Sequence, residues 1–394
     1  MAIGGAPIAA STELKLTQAN LYPAARVASG RIRRHFAAQS TAHQGVAELA
    51  AMPDEAAIEA IVDAAFWASL RQHEGHPLKV TLAFLPPEQR RAPLMFGQIF
   101  PLNADVVTRL APAVERPGVH LGVWRGENGE LHIWGATRRL PPLCFVLEVI
   151  APGLLVVKHR RIQESRKFVN VAVLEGDQIK VLNPEAVGLT DAPAMVASLF
   201  GAESPAALAD STNVMIQLAV SMRAHARGGA LLVVPDGSEL WRESMAVPVP
   251  YAVLPAYTEL SDLISGEPAE RQSARWQDGL RRAVDVVAGL TAVDGAMVIT
   301  DRCVLLGFGA KIGRREGYAR VDRVIDTEPV EGSAPHAVHP SDLGGTRHLS
   351  GAQFAHDQRD SLAMVASQDG RFTVFAWSAT AAAVLAYRVE ALLL

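Results

Sequence analysis

Hydrophobic and polar positions change their period along this chain, and the changes divide it into regions. Up to about residue 50 no clear period emerges, and the feature that stands out is a basic cluster, Arg31, Arg33, Arg34 and His35. It reads as a solvated face or arm, with a nucleic-acid contact as the alternative. From Pro53 the period is helical: Asp54 is placed to cap a run in which Ile58, Ile61, Val62, Ala65 and Phe66 recur three and four positions apart. After Gly75 the period becomes that of strands, over 78–84, 119–124, 131–134, 143–150, 154–157, 168–174 and 179–182. Glu127-Asn128-Gly129, Pro152-Gly153 and Glu175-Gly176-Asp177 mark turns between them. This pattern predicts a mainly β (α+β) region ending near residue 195.

The second half is patterned differently. Ser204-Pro205 suits a helix start, Leu208, Met215, Leu218 and Met222 follow at helical spacing, and Gly228-Gly229 provides a stop. A continuous apolar run over 230–234 predicts a buried strand, closed by Pro235-Asp236-Gly237. A helix over 276–290 places Leu280, Val284, Val287 and Leu290 on one face. Strands are expected at 296–300 and 303–307 around Asp301-Arg302, and at 361–367 and 372–377 around Gln368-Asp369-Gly370. Helices alternating with hairpin-paired strands predict an α+β or α/β arrangement, a mixed sheet with helices on its faces. The expected division is an N-terminal arm or extension over 1–50, a separate mainly β domain over 51–195 and the mixed-sheet domain over 204–394.

Composition narrows the function classes. The chain has 394 residues, 49% hydrophobic and 20% charged, which excludes a wholly disordered protein and allows two or three domains. Lys and Arg number 37 against 41 Asp and Glu, a formal charge of −4, so no global basic field draws the chain to nucleic acid. The two cysteines, Cys144 and Cys303, lie in apolar runs and read as buried thiols of a reducing compartment. The most apolar stretch, 141–157, is interrupted by Glu148, Pro152 and Gly153, and falls short of the roughly 18–20 residues a membrane helix needs. The N-terminus lacks the basic and apolar blocks of a signal peptide. A cytoplasmic protein with no membrane partner is expected.

Candidate chemistry concentrates late in the chain. In 51–195, Trp124 and Trp134 flank an expected hairpin and read as core or as the lining of a ligand pocket. His120 and His132 lack the further ligands a metal site requires. That region reads as sensory or scaffolding. Two later segments offer more: Val293-Asp294-Gly295-Ala296 and Gly344-Gly345-Thr346-Arg347-His348. In the first, a carboxylate suited to a divalent cation or a hydroxyl proton precedes a strand, and its glycine permits close backbone approach. In the second, two glycines open a helix whose free amides, with a hydroxyl and a guanidinium beside them, suit phosphate oxygens. Gly307-Phe308-Gly309-Ala310-Lys311-Ile312-Gly313 is glycine-rich without the spacing of a phosphate-binding loop, and His336 and His339 show no third zinc ligand.

With these segments in the order observed, residues from about 204 to 394 resemble the diadenylate cyclase (DAC) family, which includes the nucleotide-binding domain of the DNA-integrity scanning protein DisA. That family carries an Asp-Gly-Ala motif, here Asp294-Gly295-Ala296, and a Gly-Thr-Arg-His-Arg motif, here Gly345-Thr346-Arg347-His348 followed by Leu349. The apolar strand from Gly229 to Val234, Gly307-Phe308-Gly309, and the segment from Asp360 to Ser367 also resemble it. The resemblance implies a diadenylate cyclase that condenses two ATP into cyclic di-AMP and pyrophosphate, acting as a homo-oligomer with sites face to face. Implied catalytic residues are Asp294, Arg347 and His348. Implied nucleotide-binding residues are Gly295, Ala296, Gly345, Thr346, Arg347 and Ser367, with Asp294 and Asp369 holding Mg²⁺ or Mn²⁺. The N-terminal half is similar to sensor-like domains placed ahead of DAC domains, and no helical DNA-binding module like that of DisA is seen.

Two departures matter. Leu349 replaces the motif's last arginine, and Gln368 replaces the first glutamate of the family's Ser-Glu-Glu ending. Lys311, Arg314 and Arg315, in a long connection over 310–343, either restore positive charge or sit in a solvated loop. The competing readings are a catalytically inactive nucleotide-binding sensor on the same fold, and a scaffold that only dimerises.

Overall fold

The computed structural model of the chain describes residues 21–43, 45–46, 48–89, 93–161, 168–183, 192–199, 209–267 and 270–394. The helix start expected at Ser204-Pro205 lies outside them. The chain is a mixed α+β protein organised around two large sheets.

The first sheet follows α1 (Pro23–Ala42), α2 (Glu55–Ser69) and a short ribbon of β1 (Gln72–His73) and β2 (His76–Pro77). Its eight strands are β3 (Val80–Phe84), β4 (Leu94–Pro101), β5 (His120–Arg125), β6 (Leu131–Thr137), β7 (Phe145–Ala151), β8 (Leu154–Arg160), β9 (Phe168–Glu175) and β10 (Gln178–Val181), with α3 (Ala104–Leu110) between β4 and β5. They lie in the order β10-β9-β8-β7-β3-β5-β6-β4, antiparallel except where β3 meets β5. Asp54 caps α2 by accepting from the Ala57 amide at 2.8 Å, and Ile58, Ile61, Val62 and Ala65 are buried against the sheet. Trp134 is core, its indole N–H donating to the Leu85 carbonyl at 2.8 Å. Strand register puts His120 opposite Thr137 and His132 opposite Trp124, so the two histidines sit towards opposite ends of the hairpin.

Residues 23–42, where the sequence shows no clear period, form a 20-residue helix. Its buried stripe is Ala24, Ala25, Ala28, Ser29, Ile32 and Phe36, and alanine contrasts too weakly with polar neighbours to raise an amphipathic signal. The basic cluster on this helix is met by the chain itself. Arg31 pairs with Glu331 at 2.7 Å, Arg33 pairs with Glu55 at 3.3 Å, and the His35 ring turns inward to 5.6 Å from that of His159.

The second sheet is preceded by α4 (Ala194–Leu199) and α5 (Ala209–Ala224). Its strands are β11 (Gly229–Val234), β12 (Tyr251–Tyr257), β13 (Ala296–Thr300), β14 (Leu305–Ala310), β15 (Val324–Thr327), β16 (His336–Val338), β17 (Leu362–Ala366), β18 (Phe372–Ser378) and β19 (Ala383–Arg388). The helices α6 (Glu259–Ser265), α7 (Ala274–Leu290), α8 (Pro340–Leu343) and α9 (Thr346–Asp357) lie between them. The order is β12-β14-β13-β11-β17-β18-β19-β15-β16, parallel at β11–β13 and β15–β19. β11 explains the unbroken apolar run: Leu231 and Val233 pack with α5 and α7 on one face, while Ala230, Leu232 and Val234 pack with α9 on the other. The connection expected over 310–343 contains β15 and β16. β15 and β16 are only four and three residues long, their antiparallel pairing spans the intervening segment 328–335 rather than a tight turn, and the other partner of β15 is β19, far later in the chain, so no compact hairpin pattern announces them.

α9 is pinned by its own polar residues. Gln353 accepts from the Val321 amide and donates to the Ala319 carbonyl, both at 3.0 Å, and buried Asp357 accepts from the Arg315 amide at 2.8 Å. The sheets also meet. Val156, Val173 and Leu182 share a core with Leu392 and Leu393, and Leu182 bridges to Val330. The Asn170 amide group donates to the carbonyls of Ala391, Leu392 and Leu394 at 3.1–3.3 Å. Both cysteines are buried free thiols, pushed up to about 12 by burial and so unreactive. No helix among the described residues is long and apolar enough to cross a membrane, and 141–157 runs through β7 and β8.

Candidate functional site

The first wall of the site is made where β13 begins and β14 ends. Ala296 lies opposite Ala310, so the residues just outside the pair, Gly295 and Lys311, are neighbours. Gly295 has φ +117° and Gly309 φ +73°, and a Cβ on Gly295 would stand 2.5 Å from the Gly309 carbonyl carbon. The freedom of Gly295 is therefore spent on the approach of two backbones, which brings Asp294 and Lys311 together. Lys311 Nζ lies 2.6 Å from Asp294 Oδ2, with the Asp294 side chain 89% exposed and that of Lys311 48% exposed. The Lys311 hydrogen bond and charge hold the Asp294 carboxyl below the usual carboxylate range, with Arg347 adding to the effect.

The second wall is the start of α9. Gly344 is needed because the ring of His348 occupies the space a Cβ would take, 2.4 Å from Nδ1. Gly345 faces open space at the N-cap position and no side chain caps the helix, so the amides of Thr346 and Arg347 are left for a ligand, while that of His348 donates to the Gly345 carbonyl at 3.0 Å. Thr346 is exposed, and Arg347 is half-buried with no ion-pair partner among the described residues. His348 is 2% exposed, its ring edge-on to Phe375, and Nε2 has no hydrogen-bond partner. Burial lowers its pKa to about 4, outweighing the attraction of Asp369. It is therefore neutral at pH 7 and shapes the wall without adding a cation.

The third wall is the turn from β17 to β18, where the Ser367 amide donates to the Arg371 carbonyl at 2.9 Å. Asp369 pairs with Arg371 at 3.2 Å. Partial burial raises the Asp369 carboxyl, but the Ser367 hydroxyl and the Arg371 amide and guanidinium hold it below its ordinary value.

These three walls enclose a single cleft of about 810 Å³. Asp294, Gly295, Ala296, Gly345, Thr346, Arg347, His348, Ser367 and Asp369 all border it, as do Lys311, Ser350 and Gln368. The lining does not include Leu349, Arg314 or Arg315. Arg315 is taken up by Glu243 at 2.7 Å and by the face of Tyr318. Lys311 is the functional candidate that sequence reasoning left undecided. Its signal was the strand register across Gly295, which no motif carries.

Among the described residues no group of three or more His, Cys, Asp or Glu is arranged to hold a metal by itself. Magnesium and manganese commonly take one or two carboxylates and complete their shells with substrate phosphates and water. Asp294, Asp369 and the Ser367 hydroxyl are hard oxygen donors at one cleft, a set that suits such an ion when it is shared with a substrate.

Residues 47–138 match the family model described as "Probable sensor domain DACNV", a sensor domain associated with diadenylate cyclases. The matched segment takes in α2, α3 and the strands from β3 to β6. No curated protein matches the chain.

Proposed function

We propose that the cleft of the second sheet binds ATP, and that two copies of the chain, facing each other, condense two ATP into cyclic di-AMP under the control of the sensor region. The observation that carries this reading is convergence. Segments at 294–296, 345–348 and 367–369, well apart in sequence, border one cleft and supply a carboxylate, a guanidinium and open helix amides. The reaction asks for that set. Each 3′-hydroxyl attacks the α-phosphate of the opposite ATP, a phosphorus–oxygen bond forms to that oxygen, the bond to pyrophosphate breaks, and the hydroxyl proton leaves.

Catalysis of this kind is positioning and charge neutralisation. Asp294, ionised and exposed at the cleft, accepts the hydroxyl proton or orients the hydroxyl. Arg347 and the amides at the start of α9 hold phosphate oxygens, and Thr346 adds a hydroxyl beside them. Gly345 keeps side-chain bulk away from that contact. Asp294 and Asp369 would hold Mg²⁺ or Mn²⁺, which supplies neutralisation of phosphate charge when bound.

A second reading, nucleotide binding without turnover, is favoured by Leu349 standing where the family has arginine and by Gln368 replacing a glutamate. The test is to incubate the purified full chain with ATP and Mg²⁺ or Mn²⁺ and identify nucleotides by mass spectrometry. Cyclic di-AMP supports the cyclase. Saturable ATP binding with no product supports the sensor, and absence of both removes the nucleotide reading.

A further inference from the structure

The cleft holds a cation that no motif assigns. Its ionised side chains balance: Asp294 and Asp369 are negative, Lys311 and Arg347 positive, and His348 is neutral. In this chain the position after His348 is leucine, half-buried and outside the lining, so without Lys311 only Arg347 would face a polyphosphate. We infer that Lys311 is a phosphate-binding residue of the cleft, held on Asp294 until a nucleotide draws it away. The inference rests on the nucleotide reading of the site.

The geometry suits that exchange. The backbone of Lys311 is fixed, because its carbonyl accepts from the Ala246 amide at 2.8 Å, Ile312 bridges to Met245, and the Gly313 amide donates to the Ser244 carbonyl at 2.8 Å. Only the flexible four-carbon arm need move. An ion pair exposed to solvent is weakly held, so its ammonium can leave one carboxylate for a group of several phosphate oxygens. When it leaves, Asp294 is uncovered at the same cleft. Lys311 and a divalent cation thus compete for one carboxylate, and a nucleotide that takes Lys311 improves the site for the ion. By linkage, the ion must improve the site for the nucleotide by the same factor.

The test compares the full-length chain with Lys311→Met, which keeps the apolar arm, and Lys311→Arg, which keeps the charge. ATP and adenosine are titrated calorimetrically in EDTA, and Mn²⁺ without nucleotide is followed by electron paramagnetic resonance. Lys311→Met is expected to weaken ATP about tenfold or more, the loss of a charge-assisted contact, and to leave adenosine unchanged. The same variant should bind Mn²⁺ alone more tightly than the parent, and Lys311→Arg should keep most of the ATP affinity. If the parent binds ATP and Lys311→Met binds it equally well, the role given to Lys311 is wrong while the cleft remains a nucleotide site. If the parent binds neither ATP nor adenosine, the nucleotide reading falls and takes this inference with it.

Discussion

The first sheet buries histidines that stay neutral: burial lowers His120 and His159 to about 4, and His35 moves in the same direction, with the Lys158–Glu148 ion pair beside His120. In the second, the charged groups that matter stand at one end of the sheet, exposed, with Asp294 on Lys311 and Asp369 on Arg371. A buried imidazole cannot take up charge without disturbing the layers around it, whereas an exposed pair can trade partners at little cost.

The contrast breaks most sharply at Asp294. Asp294→Asn keeps the shape and removes the charge, so on the proposed cyclase reading any cyclic di-AMP formation should fall by orders of magnitude. The thermal midpoint should barely move, because the carboxylate is exposed. Mass spectrometry of product with calorimetry of unfolding reads both, and full turnover in the variant would remove Asp294 from the chemistry.

Acid should act on the buried imidazoles, His120, His159 and His35 in the first region and His348 behind the cleft wall in the second. Histidines whose folded pKa lies below the ordinary 6.5 bind fewer protons folded than unfolded, so stability is full above about pH 6.5 and is lost as pH falls towards 4. For His159 the shift corresponds to about 3 kcal/mol at most. The depressed carboxylates Asp294 and Asp369 keep their contribution throughout that window, since theirs is lost only as pH falls through their lowered values. Denaturant titrations from pH 7.5 to 4.5 should show the decline, and His159→Gln should flatten part of it, the rest being carried by His120 and His348. A pH-independent midpoint would show that these imidazoles are solvated.

Arg347→Ala should weaken ATP binding by roughly 1.5–3 kcal/mol, about ten- to a hundredfold, with no change in acid sensitivity. Calorimetric titration decides, and an unchanged affinity would move the phosphate elsewhere. The smallest effect concerns the seam. Asn170→Ala leaves three carbonyls without their shared donor and should cost about 1 kcal/mol while bringing apart the unfolding of the two regions. Coincident loss of both in the variant would show that the apolar seam alone couples them.

How much of this was legible follows from where each signal resides. α2, β11, α7 and the hairpin around Gln368-Asp369-Gly370 were readable because their apolar periods and turn residues are local. α1 was not, its stripe being alanine. β4 escaped because Leu94, Met95 and Ile99 are exposed on an edge, so no alternation marks a buried face. β12 carries Pro255 and is also an edge, where strands need no buried pattern. At the site, Asp294-Gly295-Ala296 and Gly345-Thr346-Arg347-His348 were visible as motifs. The place of Lys311 depends on Ala296 lying opposite Ala310, a pairing that sequence spacing does not state. The neutrality of His348 depends on Phe375 and the layers around it.

β11 has a consequence for how the cleft comes into being. Its neighbours are β13, paired locally with β14, and β17, paired locally with β18. Asp294 and Lys311 belong to one of these hairpins, Ser367 and Asp369 to the other, and neither touches the other except by docking on opposite sides of β11. Each hairpin can form early and quickly, but the cleft exists only after the slower, long-range docking of both. A molecule bridging the two sides then acts as a tie across the central strand, and its residence time is bounded by how often either hairpin lifts away.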